Sequence, residues 1–371
     1  MCFSVCPRGA HHPIECIVPP HMLRVIALRG DERMAEMAKS LLKQSQKLRQ
    51  EREDHIHPVP APDDTAPPFG AVAGRGRTRL AAAAACEPDR RVHDGQHRAA
   101  LPGPLVRSEG DGPCGIADAD RMYDAMGEVF GLYADQFDRN SLDGNGLPLI
   151  ATVNHRRNYN NAFWNGDQMA FGNGDGKLFK TFIDLSVIAH EMTHGVIQYS
   201  GGLVYQDQAG ALNESIADVF AAIAQQRNLG QTAHEADWII GGELLGPDIN
   251  GSGLRSMKAP GTAYHDDLLG QDPQPFHMDN FLSTSDDNGG VHINSGIPNH
   301  AFYLFCMLLG GNSWEKPGQI WYRALQDLNN PMASFAEWSD QTVGAAINLY
   351  GMGSTEMVML RRAWKLVGLP T

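Results

Sequence analysis

No run of about 18 apolar residues occurs in the 371 positions of the chain, so no segment is expected to cross a bilayer as a helix. The opening residues, MCFSVCPRGAHHPIEC, have neither a basic start nor the apolar stretch of about 7 to 15 residues that marks a secretory signal. Cations are few: 30 Lys and Arg stand against 43 Asp and Glu, a net charge of -13. That balance argues against a nucleic-acid or anionic-membrane partner, both of which reward clustered Lys and Arg. Cysteine is also scarce, and Cys2, Cys6, Cys16, Cys86, Cys114 and Cys306 follow neither zinc-ribbon spacing nor the density of a disulfide scaffold, so reduced thiols are expected. No internal repeat recurs at a fixed period, which excludes a solenoid.

What remains is a chain with 42% hydrophobic residues, enough for one large or two ordinary globular domains. Residues 22–54 place Met34, Met37, Leu41 and Leu48 at helical spacing among many charges, which predicts one or two amphipathic helices. The stretch HPVPAPDDTAPPFGAVAGRGRTR, 57–79, is rich in Pro, Gly and Arg and predicts an exposed, protease-sensitive linker. A short helical segment, a cleavable linker and a large domain suggest a propeptide joined to an enzyme. From about residue 90 to 180, short apolar runs such as LPLIATVN are broken by Asn, Gly and Asp, a β-rich pattern. After about 182 the periodicity is helical, over 183–199, 210–227, 293–309, 317–327, 334–349 and 355–367.

The stretch VIAHEMTHGVIQ, 187–198, carries the chemistry. On a helix, residues four apart share a face, so His190 and His194 can reach one metal ion while Glu191 touches a metal-bound water without ligating the metal. The alternatives are a structural zinc site, or two surface histidines on an ordinary helix. Twenty residues on, GALNESIADVF offers Glu214 and Asp218, again four apart. Glu214 completes a His, His, Glu set and leaves an open fourth position, the mark of catalytic zinc. Asp218, one turn later, can accept the spare N–H of a zinc histidine and fix its tautomer.

With these residues the chain resembles the thermolysin-like zinc metallopeptidases. The resemblance runs through NYNNAFWNGDQMAFGNGDG (158–176), HEMTHG (190–195), GLVYQDQAGALNESIADVF (202–220), LRSMKAP (254–260) and DNGGVHINSGI (287–297). More narrowly, CIVPPHMLRVIA (16–27) looks like the short propeptide of the protealysin-like branch. The resemblance implies an α+β, two-lobed zincin fold with the zinc helix at the junction of the lobes. Its expected parts are a short propeptide (1–54), a linker with the processing site (55–89), a β-rich catalytic lobe including the zinc helix (90–197) and an α-helical catalytic lobe (198–371).

The same resemblance implies roles. One catalytic Zn²⁺ is held by His190, His194 and Glu214, and zinc-bound water, its pKa lowered toward about 7, attacks with Glu191 as general base. His292 donates to the oxyanion with help from Tyr205, and Asp287 orients His292. Asn161 and the Ala162 carbonyl, with Trp164 beside them, bind substrate backbone and leaving amine. Arg255 grips a carbonyl on the leaving-group side. Cleavage is expected before bulky apolar residues, with Val187 and Leu254 at positions lining that pocket. Expected partners are protein or peptide substrates and the propeptide as intramolecular inhibitor, with no nucleic acid, no membrane and a monomeric chain. Secretion is implied without a recognisable signal; the alternative is a cytoplasmic location.

The chain departs from the family in its calcium residues. Where carboxylates would hold a calcium pair it has Ser186, Gln225, Ile239 and Gly242, leaving only Asp237. Ca²⁺ needs about 6 to 8 oxygen ligands, so the double site is expected to be lost; calcium elsewhere stays open, and the acidic turns at 143–146 and 172–176 read as plain turns. Cys16 leaves two readings: a thiolate on the open zinc position, or an incidental thiol beside a propeptide that blocks the cleft sterically. A catalytically dead relative used for binding is disfavoured by intact Glu191, His292 and Tyr205. An aminopeptidase is disfavoured because no amine-anchoring motif is visible.

Overall fold

A computed structural model describes residues 15–53 and 86–370. Cys2, Cys6 and most of the expected linker lie outside these residues. The chain opens with β1 (Glu15–Cys16), then α1 (Pro20–Arg29) and α2 (Glu32–Glu53). Pro20 suits the first turn of α1 because the N–H it lacks would have no helical partner there. Met22, Leu23 and Ile26 of α1 are buried, as the spacing requires.

The N-terminal lobe follows with β2 (Arg90–Asp94), β3 (Leu105–Ser108), α3 (Ala117–Phe137), β4 (Leu149–Val153), β5 (Ala162–Trp164) and β6 (Met169–Phe171). One sheet has the order β1-β5-β6-β4-β2-β3, parallel at β2/β4 and β4/β6 and antiparallel elsewhere. The two-residue strand β1 is therefore an edge of this sheet, paired with β5. The long helix α3 departs from the β-rich reading of this region. It buries Met122, Met126, Val129, Phe130 and Tyr133 at helical spacing, but interior Gly127 and Gly131 weaken the helical signal in sequence. At Gly127 a Cβ would come within 2.4 Å of the Arg90 guanidinium, so that side chain would have to shift.

The helix α4 (Leu185–Gln198) carries the zinc motif and starts at Asp184, whose carboxylate accepts from the Ser186 and Val187 amides. Residues 186–197 are all buried. Against it packs α5 (Asp207–Leu229), which ends on left-handed Gly230. The hairpins β7 (Ile239–Ile240)/β8 (Arg255–Ser256) and β9 (His265–Asp266)/β10 (Gly270–Gln271) follow. The helical lobe closes with α6 (Asp287–Asn294), α7 (Gly296–Leu309), α8 (Lys316–Gln326), α9 (Phe335–Tyr350) and α10 (Thr355–Leu366). A Ser334/Glu337 capping box starts α9. Among the described residues no helix is long and apolar enough to cross a membrane.

Candidate active site

Helices α4 and α5 bring His190, His194 and Glu214 together with no exposure above 1%. Their ligand atoms all lie within 4.8 Å of one another. His190 Nδ1 stands 2.9 Å from Asp218 Oδ1, and His194 Nδ1 stands 2.9 Å from Asn213 Oδ1. With the His194 Nδ1 proton so engaged and the Asp218 carboxylate beside His190 Nδ1, the two rings present lone pairs at Nε2, and these atoms are 2.9 Å apart. Each Nε2 is 3.6 Å from a Glu214 carboxylate oxygen, and buried Glu214 Oε2 accepts no hydrogen bond. Facing lone pairs beside a buried carboxylate fit a cation, and two imidazoles with one carboxylate suit zinc. The protonation states agree with this. Burial, reinforced by His194, pushes the His190 pKa down to about 4. Burial alone would raise the Glu214 carboxyl, yet His292, His190 and His194 hold it below its ordinary value.

Asp218 gathers more than a histidine. Its oxygens accept from Arg255 Nε and Nη2 at 2.7 Å each and from Asn299 Nδ2 at 2.8 Å. Burial favours the neutral acid, but Arg255 and His190 keep the carboxyl well below the usual range. On α6, the His292 amide donates to Asp287 Oδ2 at 3.0 Å, and His292 Nδ1 lies 2.8 Å from Asp287 Oδ1. Burial would depress the His292 pKa; the Asp287 and Glu214 charges outweigh it and push it up to about 9. The left-handed run Asp287–Gly290 turns this loop sharply into the helix. Tyr205 donates to Glu214 Oε1 and lies 3.2 Å from His292 Nε2. Gly210 permits that approach, since a Cβ there would meet Val291 Cγ1 at 2.5 Å and the Tyr205 backbone at 2.8 Å.

Residues 16–18 thread through this cluster. Cys16 O lies 2.8 Å from His292 Nε2. The Ile17 amide donates to Ala162 O at 3.2 Å, Arg255 Nη1 donates to Ile17 O at 3.2 Å, and the Val18 amide donates to Asn161 Oδ1 at 3.0 Å. Trp164 meets the segment through its main chain, opposite Glu15, while its indole turns inward to Gln198 Oε1. Val187 and Leu254 are buried. Glu191, also fully buried, sits between the two histidines on α4.

Asn213, Asn299 and, in α1, His21 and Arg24 were not singled out by the sequence reading. Only Asn213, directly before Glu214, had a local signal. At the calcium-like position Ser186 Oγ donates to Asp184 Oδ1 at 2.5 Å and accepts from the Gly241 amide at 2.9 Å, while the Glu243 amide donates to Asp184 Oδ2 at 3.3 Å. In the two acidic turns, Asp143 Oδ1 and Asp175 Oδ1 accept amides of their own loops.

The family descriptions "Thermolysin metallopeptidase, catalytic domain" and "Thermolysin metallopeptidase, alpha-helical domain" match residues 115–198 and 201–369. An extracellular metalloprotease of Pectobacterium carotovorum subsp. carotovorum is 44% identical over 359 residues, covering 96% of this chain and 97% of that protein. Protease PrtS of Photorhabdus sp. (strain Az29) is 46% identical over 284 residues, 76% of each chain. Among solved structures, the precursor of protealysin, a metalloproteinase from Serratia proteamaculans, superposes with a TM-score of 0.82 at 41% identity, covering 96% of this chain and 99% of that one.

Proposed function

Because this chain belongs to the thermolysin metallopeptidase family and is a zinc metalloendopeptidase, we propose how its residues divide the work on a peptide bond. His190, His194 and Glu214 would hold the zinc ion, which when bound would supply the charge that acidifies water and polarises the scissile carbonyl. Glu191 takes a proton from the attacking water and passes it to the departing amine. His292, oriented by Asp287 and joined by Tyr205, donates to the oxygen on which negative charge develops. Asn161, the Ala162 carbonyl and Arg255 hold the leaving-group side, with Trp164 supporting the strand through its backbone.

The path of residues 16–18 carries this reading: an extended peptide already makes, with His292, the Ala162 carbonyl, Arg255 and Asn161, the contact that each role requires. Wholly buried Ile17 follows the carbonyl at His292, which supports a preference for bulky apolar residues after the cut. The processed protein is expected to cut casein and quenched peptides, to lose activity to a zinc chelator and to regain it with added zinc. Peptides with Leu or Ile after the bond should exceed those with Gly or Asp by at least about 10-fold, a few methylenes' worth of burial. Activity that survives the chelator would overturn the zinc mechanism.

Residues 1–54 act as the propeptide and 55–89 as the processed linker, with catalytic lobes at 90–197 and 198–371. The relatives named extracellular proteases support a secreted enzyme; in this reading it acts on proteins as a monomer. The propeptide is held by its strand, by the apolar face of α1 and by Arg24, which donates to both oxygens of Asp286 at 3.0 and 3.1 Å. His21 lies 2.9 Å from the Tyr264 hydroxyl. Burial pushes the His21 pKa down to about 4; Asp287 opposes this, and His292, Arg255 and Arg24 add to it. A released His21 titrates near 6.5. Docking strength that depends on neutral His21 is therefore full above about pH 6.5 and falls as pH drops toward 4. The linkage makes docking about 30-fold weaker at pH 5 than at pH 7.5. Hydrogen-exchange protection of α1 amides in the intact precursor should fall accordingly, and His21→Gln should flatten the dependence.

The double calcium site is lost in this reading. Asp184, Ser186 and the amides of Gly241 and Glu243 staple the start of α4 to the loop that a calcium pair would hold. A calcium-selective chelator should shift the Tm by less than about 2 °C, under 1 kcal/mol for a domain of this size. A larger drop would show that calcium is bound.

A further inference from the structure

We propose that the Cys16–Ile17 bond is itself a cleavage site, cut by the enzyme in cis, so that the precursor is nicked inside its own inhibitory segment. This rests on the catalytic roles assigned above. The contacts of residues 15–18 go beyond steric blockage. On one side of the bond, Glu15 and Cys16 add an antiparallel strand to the exposed edge β5, in register with Trp164 and Phe163. At the bond, the carbonyl oxygen of Cys16 sits 2.8 Å from His292 Nε2, within hydrogen-bond reach of the group assigned to the oxyanion. On the other side, the Ile17 amide, which would become the leaving amine, is held by Ala162 O, and the Ile17 carbonyl and Val18 amide are held by Arg255 and Asn161. Ile17 is fully buried. A merely obstructive segment has no need to satisfy every one of these groups in substrate order.

The step balances as a hydrolysis. Water adds to the Cys16 carbonyl carbon, the C–N bond to Ile17 breaks, Glu191 relays the water's proton to the departing nitrogen, and Cys16 carboxylate and Ile17 amine result. The cut alone does not free the site. The new Ile17 end keeps Ala162, Arg255 and Asn161 as partners, and α1 stays anchored through Arg24 and Asp286. Cleavage first removes residues 1–16, which leave the β5 edge, and departure of 17–53 is a later event. Inhibition can thus persist after the first cut.

The test follows intact mass and N-terminal sequence of the full-length precursor after zinc is added, at several protein concentrations, alongside Glu191→Gln and Cys16→Ser. The expected result is a species beginning at Ile17, formed at a concentration-independent rate, slowed at least about 10²-fold in Glu191→Gln and retained in Cys16→Ser. Thermal unfolding gives a readout apart from activity, since loss of the β1 edge should lower the Tm in step with the mass change. Maturation in which residues 16 and 17 stay joined overturns the proposal, as does a rate that grows with concentration or a cut that survives Glu191→Gln. Casein cleavage by the processed enzyme keeps the two failures apart: an active enzyme with an uncut Cys16–Ile17 bond sinks only this inference, and an inert one sinks the catalytic assignment beneath it.

Discussion

Exchanging Glu191 for glutamine will lower kcat on casein and on a quenched peptide by about 10²- to 10⁴-fold, the range that a positioned general base contributes. The two side chains have the same shape, and Glu191 is fully buried in the tightly packed helix α4 between the zinc histidines. The amide therefore fits without a cavity and differs chiefly in basicity. Glu191 is not among the three residues whose ligand atoms converge, so zinc content should stay at one ion per chain. Removing a buried negative charge lifts a desolvation cost, and the Tm should hold or rise. KM should change little, because the substrate contacts proposed above belong to Asn161, Ala162, Arg255 and His292. A fall in kcat below 10-fold, or loss of zinc, would remove Glu191 from the role of base.

The zinc-binding core was legible because its signals are local. His190 and His194 are one helical turn apart, and Glu214 lies on the next helix with Asp218 one turn beyond it. Two-lobed architecture was legible too, through the shift of period near residue 182. Interactions set by tertiary approach were not. Asp218 meets Arg255 from 37 positions away and Asn299 from 81, and no periodicity reports that the three converge. The edge strand Glu15–Cys16 is two residues long and shows no alternation; it is extended because β5 offers it partners. Nothing local in the sequence block around Trp164 says where its side chain goes; its place on a short strand buried on both faces sends the indole to Gln198. Helix α3 was hidden by two glycines that its neighbours require or tolerate.

Replacing Asp218 with alanine will cost about 3–5 kcal/mol of stability, the usual penalty for stripping one partner from a buried ion pair. It will also weaken zinc binding about 10- to 100-fold. The carboxylate is fully buried, satisfies the Arg255 guanidinium twice and the Asn299 amide once, and lies 2.9 Å from His190 Nδ1. Without it the Arg255 charge remains buried, and His190 loses the acceptor that keeps its proton on Nδ1 and its lone pair on Nε2. Arg255 also donates to Ile17 O, so the same change loosens residues 16–18. Asp218→Asn separates the effects: it keeps the volume and one acceptor oxygen but turns an N–H₂ group toward donors, so zinc affinity should fall while less stability is lost than in alanine. The Asp218 carboxyl is held below its ordinary value in the fold, so its contribution is full above the unfolded carboxyl pKa of about 4, declines as pH falls below it and is gone once pH has passed the depressed folded value. Urea unfolding at pH 7 and zinc competition with a chromophoric chelator measure both quantities. A stability change under about 1 kcal/mol together with unaltered zinc affinity would show that Arg255 and His190 hold their places without Asp218.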